Sequence, residues 1–255
     1  MKRNVLSLVV LTTALIGGGR TVFADNPLIA RMVFFEAKPG SRPSLEEVIK
    51  KHIALRREET NRWRLLTWEY VSGEVPRYCV ATFGHPWADF DYPPTNVQVE
   101  VAVDAASLLT PAPPLVQYFE HLEEVSDFGT QTNTPTLVEI SIFQLHYGKT
   151  SQFYAALRGF HEALNRGGSV ERHEWFELRS GGDVPQFMLM LPRANWEAVD
   201  TGADLLLERL EDSIGKTKAA QLFEQFTLSV KSHQRTMAQL RPDLSLLPNP
   251  KASGP

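Results

Sequence analysis

His52-Ile53-Ala54-Leu55 returns as His161-Glu162-Ala163-Leu164, 109 residues further along the chain. The same offset carries Phe34 to Phe143, Arg57 to Arg166 and Gly73 to Gly182. It also carries Val75-Pro76 to Val184-Pro185, Trp87 to Trp196 and Asp91 to Asp200, with no gap required. Two tryptophans, two histidines and a shared Gly-x-Val-Pro at one spacing are not a chance pattern. The chain contains one structural unit twice, and each copy can be read against the other.

Each copy opens on a strand. Arg31–Ala37 alternates around Val33 and Phe35, and Leu137–Leu145 alternates through Glu139, Ser141 and Gln144, the period-two signature of β structure. Turns at Pro39-Gly40 and Tyr147-Gly148-Lys149 lead into helices. In the first helix Ser44 is placed as N-cap, with Glu46 and Glu47 at the positive end of the helix dipole. Leu45, Val48, Ile49, His52, Ile53 and Arg56 fall on one face; the second stripe is Phe153, Ala156, Leu157, Phe160, His161 and Leu164. Hairpins follow, Leu66–Val71 to Arg77–Phe83 and His173–Leu178 to Gln186–Leu191, with glycines in their turns. A second helical region closes each unit. In copy two it is expected from Gly202 to Leu240 with a break at Ile214-Gly215-Lys216; in copy one Thr110-Pro111-Ala112-Pro113-Pro114 interrupts it.

The expected class is α+β, with two β-α-β-β-α units in tandem. Such a sheet carries helices on one face only, so its other face must also be buried, and the second copy is the simplest partner. The division expected is residues 25–128 and 129–245, joined by the Thr-, Asn- and Gly-rich Ser126–Thr136, with 246–255 a loose tail.

The first residues read differently. Met1-Lys2-Arg3-Asn4 is a short basic start, Val5–Ile16 is apolar apart from Ser and Thr, and Gly17-Gly18-Gly19 breaks any helix. Val22-Phe23-Ala24 offers small residues for a cleavage site. That is the order of a secretory signal, with cleavage expected after Ala24 and a periplasmic or secreted mature protein. The apolar run falls short of the roughly 20 residues a membrane-spanning helix needs. Removing residues 1–24 takes away three basic residues and no acid, which moves the formal charge from −4 to −7. An acidic surface without basic clusters argues against nucleic acid and against anionic membrane as partners. Cys79 is the single cysteine; lying in the apolar run Tyr78–Phe83, it reads as an inert core thiol.

Over about residues 29–240 the pattern resembles the dimeric α+β barrel superfamily in tandem form. The residues that carry the resemblance are Phe34 with Pro39-Gly40, the helix bearing His52 and the hairpin ending in Val75-Pro76. Trp87-Ala88-Asp89 and Trp196-Glu197-Ala198 resemble the strand-to-helix junctions of NIPSNAP-like and antibiotic-biosynthesis-monooxygenase-like members. The resemblance implies two ferredoxin-like units closed into an internal pseudo-dimer that could associate further. It also implies a range of chemistries: cofactor-free monooxygenases, haem-degrading enzymes, haem-dependent chlorite dismutases and peroxidases, and members without known activity share the fold. Their ligands commonly lie between helices and sheet, and fold alone does not choose among them.

Six residues stand out as candidate ligand contacts. His52 and His161 lie on apolar helical stripes, where a histidine could be a haem ligand, a base, or a packed side chain. Trp87 and Trp196 could roof a cleft or simply hold the junction. Trp68 and Trp175, with Tyr70 and Phe176 beside them in sequence, could line a cavity for a flat ligand. Arg77 and Arg172 could anchor an anionic group or be solvated strand ends. His-Glu-x-x-His, Cys-x-x-Cys, P-loop and Gly-x-Ser-x-Gly motifs are all lacking, so no metal site and no ordinary hydrolase is supported. The expected function is an exported protein binding an apolar or aromatic small molecule between sheet and helices. Its alternatives are a cofactor-free monooxygenase or haem enzyme, and a non-catalytic interaction module.

Overall fold

The computed structural model describes residues 27–57, 63–72, 77–91, 107–109, 114–127, 134–168, 172–199 and 203–247. The first half supplies β1 (Ile29–Glu36), α1 (Arg42–Arg57), β2 (Leu66–Tyr70), β3 (Arg77–His85) and β4 (Leu115–His121). The second supplies β5 (Leu137–Leu145), α2 (Thr150–Arg166), β6 (Glu174–Ser180) and β7 (Gln186–Arg193), then α3 (Ala203–Ile214), α4 (Lys216–Thr227) and β8 (Val230–Leu240). These eight strands close into a barrel in the order β1-β3-β2-β8-β5-β7-β6-β4, every pair antiparallel. The halves meet at two seams. Trp68–Tyr70 pairs with Ala238–Leu240, and Tyr118–His121 pairs with Phe176–Ser180. Each four-stranded sheet thereby covers the other's edges, which would otherwise be open to pairing with another chain.

Strand alternation sorts the side chains into two apolar layers. Ala30, Met32, Leu66, Trp68, Cys79, Ala81, Val138, Ile140, Met188, Met190, Ala238 and Leu240 fill the interior. On the outside, Tyr78 of β3 packs with Leu45, Ile49 and Ile53 of α1. Phe143, Leu145, Trp175 and Phe187 pack with Phe153, Leu157, Phe160, Leu210 and Ala219 of the three later helices. The pseudo-dimer expected from the need to bury both faces of each sheet is what forms.

The repeat is not ungapped in three dimensions. Cys79 and Met188 occupy matching inward positions in β3 and β7, 109 residues apart. Upstream of the hairpin turn the spacing is 108. Gly40 and Gly148, with φ of 79° and 77°, close the matching turns before α1 and α2. Trp68 faces Cys79 as Phe176 faces Met188. One extra residue in the second copy's β6–β7 turn accounts for the change. His52 and His161 are therefore not structural equivalents; His161 stands where the first copy has Ile53.

Further corrections concern the element ends. The long helix expected to reach Leu240 does break at Gly215, whose φ is 81°, but beyond Thr227 it gives way to β8. Lys231–Thr236 offers no apolar stripe for a helix to bury, whereas an extended chain there bonds to β5 along almost its whole length; tertiary pairing overrides local preference. In copy one β4 takes the matching place, and residues 92–106 lie outside the described residues. The helix α1 begins at Arg42, with Leu45 N bonded to Ser41 O at 3.0 Å, so Ser44 sits in the first turn and is not the cap. The start of the expected loose tail is anchored: Leu246 is buried and exchanges backbone bonds of 3.2 and 2.8 Å with Leu65. The signal-like residues 1–24 lie outside the described residues. No helix among the described residues is long and apolar enough to cross a membrane.

Candidate active site

Because Val138 and Ile140 point into the barrel, Glu139 and Ser141, which alternate with them, point out towards the helices. Outward-facing positions of β5, β6, β7 and β8, roofed by α2 and α3, enclose a cavity of about 210 Å³. Its apolar walls are Leu157, Phe160 and Leu164 of α2, Leu206 of α3, and Trp175, Leu189 and Leu191 of the sheet. Aromatic surface is plentiful beside it, since Trp175 stands 5.6 Å from Phe143 and 5.9 Å from Phe153 between ring centroids.

One end of the cavity is polar. Glu139 is 4% exposed and Arg193 6%, burial that would be costly for either alone. They compensate one another: Arg193 Nε and Nη2 donate to Glu139 Oε2 at 3.0 and 2.8 Å. The other carboxylate oxygen, Oε1, lies 2.5 Å from Nε of Arg235. Two guanidiniums against one carboxylate leave this wall with a net positive charge, and Arg209 adds to the lining. His233 also lines it, stacked on Phe143 at 4.5 Å with ring planes 5° apart. Burial, and then Arg235, lowers its pKa from the usual value, so this ring is neutral at pH 7.

His161 lines the same space from α2, with the ring of His173 6.0 Å away. The Asn165 amide Nδ2 donates to His161 Nε2 at 2.9 Å, so Nε2 is the accepting nitrogen and Nδ1 carries a ring proton. Nδ1 is buried and has no hydrogen-bond partner among the described residues. Leaving such a donor unsatisfied costs about 1–3 kcal/mol, a cost that a ligand acceptor would remove. The cavity thus combines a flat apolar wall, one waiting donor and a cationic end.

The structure brings together only two of the six residues singled out in the sequence, His161 and Trp175. His52 is half-buried on α1, its pKa pushed down to about 4 by burial and then by Arg56, and it does not line this cavity. Trp68 points into the barrel interior, on the other side of the sheet. Trp87 is 42% exposed and lies against Tyr118 and Phe90, at 5.6 and 6.0 Å between ring centroids. Trp196 is 57% exposed. Both follow a strand and adjoin a short 3-10 turn, Trp87–Phe90 and Glu197–Val199. Arg77 pairs with Glu36 and Arg172 with Glu174, each at 2.6 Å. Among the described residues no group of three or more His, Cys, Asp or Glu is placed to hold a metal. Sequence reading missed the Glu139–Arg193–Arg235 cluster. A charged residue between Val138 and Ile140 was a usable signal, but Arg235 lay in the segment read as helix.

No sequence-family profile matches the chain, and no curated protein matches it by sequence. Solved structures do match it in shape. A candidate monooxygenase from Fusobacterium nucleatum subsp. nucleatum superposes with a TM-score of 0.57 at 8% identity, over 84% of this chain and 92% of that one. A candidate monooxygenase from Lactobacillus acidophilus gives 0.55 at 12% identity, over 86% and 95%. An anthrone oxidase-like protein gives 0.52 at 10% identity, over 86% and 92%. The chain is a tandem dimeric α+β barrel. A chlorite dismutase variant from Candidatus Nitrospira defluvii, at 0.51 and 8% identity over 86% and 93% of the two chains, has the same architecture. These identities carry the fold and leave the chemistry of this α+β barrel to its own residues.

Proposed function

We propose that this α+β barrel binds a small aromatic molecule carrying an anionic or strongly hydrogen-bond-accepting group, in the cavity beneath α2 and α3. The observation that carries the reading is the buried, unsatisfied Nδ1 of His161, a residue that lines a cavity apolar on one side and cationic at one end. An acceptor on the ligand would take the His161 proton, its negative charge would lie towards Arg193 and Arg235, and its ring would lie along Trp175 and Phe160. An engineered cavity of about 150 Å³ holds benzene, so about 210 Å³ suits one or two rings. It does not suit a porphyrin, with four pyrroles in one macrocycle. The cavity does not fit haem, and no step is routed through one. Export, with a mature chain starting at Asp25, is part of the same reading.

The test is a titration of the chain from Asp25 with 2-naphthoate, 1-naphthol and naphthalene, followed by tryptophan fluorescence and calorimetry. Saturable binding is expected, tightest for naphthoate, and weakened about tenfold in His161→Leu, the size of effect that loss of one hydrogen bond to a charged group produces. Leu157→Trp, which fills the space, should abolish it. Equal binding by wild type and both variants would sink the proposal.

A second reading makes the site a cofactor-free monooxygenase. The shared fold with candidate monooxygenases and an anthrone oxidase-like protein is consistent with it, and His161 supports it. With a proton on Nδ1, this ring would donate a hydrogen bond to a phenolate oxygen and so favour the ionised, oxygen-reactive form of a phenolic substrate. Oxygen uptake with dihydroxynaphthalene or anthrone, lost in His161→Leu, is the expected signature. Absence of uptake with every ligand that binds would retire this second reading and leave the binding role intact.

A further inference from the structure

A second cavity, of about 280 Å³, lies within the barrel at the mouth where β1, β2, β5 and β6 begin and β3, β4 and β7 end. It shares no lining residue with the cavity under α2. The sheet itself separates the two, because one is walled by inward-facing and the other by outward-facing side chains. Its deep wall is Ala30, Leu66, Trp68, Phe176 and Met190, all from the interior cluster. Eight-stranded barrels of this size are ordinarily filled by their own side chains, so a residual space of this volume at one end is itself informative.

Trp68 supplies the second observation. It is 3% exposed, yet its Nε1 is buried with no hydrogen-bond partner among the described residues. An indole nitrogen is a donor only, so nothing but an acceptor can satisfy it, and Trp68 is one of the residues that line this cavity. We propose that the barrel mouth is a second small-molecule site, taking a neutral one- or two-ring compound whose carbonyl oxygen accepts from Trp68 Nε1. Neutrality follows from the surroundings. The deep wall carries no charge, and the ionised side chains of the lining, Arg64, Glu123, Arg172 and Glu174, are balanced in sign. Arg172 is held by Glu174 at 2.6 Å, and Arg64 is bonded to Thr134. A carboxylate drawn in to Trp68 would lose its water without gaining a cation, whereas a ketone or lactone oxygen would exchange one hydrogen bond for another. The two sites of the protein therefore differ in kind: the cleft under α2 is cationic and favours anions, and the barrel mouth favours neutral carbonyl compounds.

The experiment is an NMR titration of the chain from Asp25, labelled with nitrogen-15. It follows the indole N–H signals of the five tryptophans, that of Trp68 being assigned as the one missing in Trp68→Phe. The probes are 1-indanone, indane, which has the same rings without the carbonyl, and indane-1-carboxylate. Indanone should shift the Trp68 indole proton downfield and saturate, indane should bind about five- to tenfold more weakly without that shift, and the carboxylate should leave Trp68 unmoved. Trp68→Phe should equalise indanone and indane, while His161→Leu should change neither. Failure of indanone to perturb Trp68 at millimolar concentration, or identical responses to indanone and indane, would overturn the proposal. Because the comparison of probes is made on wild type, it stands even if Trp68→Phe does not fold, the signal then being assigned through its contacts to neighbouring residues.

Discussion

Replacing Arg241 with methionine should loosen the seam between the two halves in a manner that depends on pH. Arg241 follows β8 in the second half and reaches α1 and β2 of the first. Its Nη1 and Nη2 contact Glu46 Oε1 and Oε2 at 3.0 Å each, Nη1 reaches Glu69 Oε2 at 2.7 Å, and Nη2 reaches Asp243 at 2.9 Å. Glu46 also accepts from Tyr78 Oη at 2.8 Å and from Arg42 Nε at 3.0 Å. Arg241 first, then Tyr78 and Arg42, hold the Glu46 carboxyl at about 2 against an ordinary 4.5, with burial opposing them. At about 1.4 kcal/mol for each pKa unit, the whole shift corresponds to a ceiling near 3 kcal/mol. Arg241 and Glu46 are 20% and 15% exposed, so water screens part of this, and Arg42 and Tyr78 remain in the variant. Arg241→Met should therefore cost about 2 kcal/mol at pH 7, a drop in Tm of roughly 4–8 °C for a domain of this size. The sign follows from linkage: a carboxylate with a depressed folded pKa contributes fully above about 4.5, and that contribution fades as pH falls through about 2. Urea melts of wild type and variant at pH 7, 5, 4 and 3 should show two curves that converge towards acid. A gap that stays constant with pH, or one below about 0.5 kcal/mol at pH 7, the range of an ordinary surface pair, would refute the reasoning.

The Cys79 thiol is buried, and burial raises its pKa well above the usual value, so a thiol reagent should find no reactive group in native protein and one equivalent after denaturation; rapid native labelling would contradict this placement. Gly181 has φ of 95°, and a Cβ there would stand 2.0 Å from Val116 O, whereas Gly40, at φ 79°, has nothing within 4 Å. In calorimetric melts Gly181→Ala should cost well over 2 kcal/mol and Gly40→Ala only about 1; equal losses would show that β4 does not abut this turn. His52, held at about 4 by burial and then by Arg56, should titrate near that value by NMR, and the stability it contributes should be full above about 6.5 and decline as pH falls towards 4; a midpoint near 6.5 would place it in solvent. Expressed with its leader in a secreting bacterial host, the chain should give an intact mass beginning at Asp25, and retention of residues 1–24 would dispose of the signal reading.

The sequence alone determined that the chain is built twice, because the same order of strand, turn, helix and hairpin recurs in both halves, although the letters matched at 109 before the hairpin turn are one residue out of the structural register. It also determined that each unit opens β-α-β-β, since those elements lie in strong local patterns: alternation in Leu137–Leu145, the stripe from Phe153 to Leu164, the turns at Gly40 and Gly148. Closure of the two units on one another followed from the need to bury both faces of each sheet. Tertiary structure alone decided the rest. The strands β4 and β8 were invisible as strands because what stabilises them is pairing across the halves, at Phe176–Ser180 and along β5, and no local window contains those partners. The site was only half legible for the same reason. Glu139, Arg193 and Arg235 come from three strands and meet through sheet register. A one-residue difference between the copies turns matching letters onto different faces. Trp68 and Trp175 lie 107 residues apart, one short of the spacing that relates β2 to β6, so Trp68 enters the barrel while Trp175 faces the helices; His161 stands in the place of Ile53 and lines the cavity that His52 does not reach.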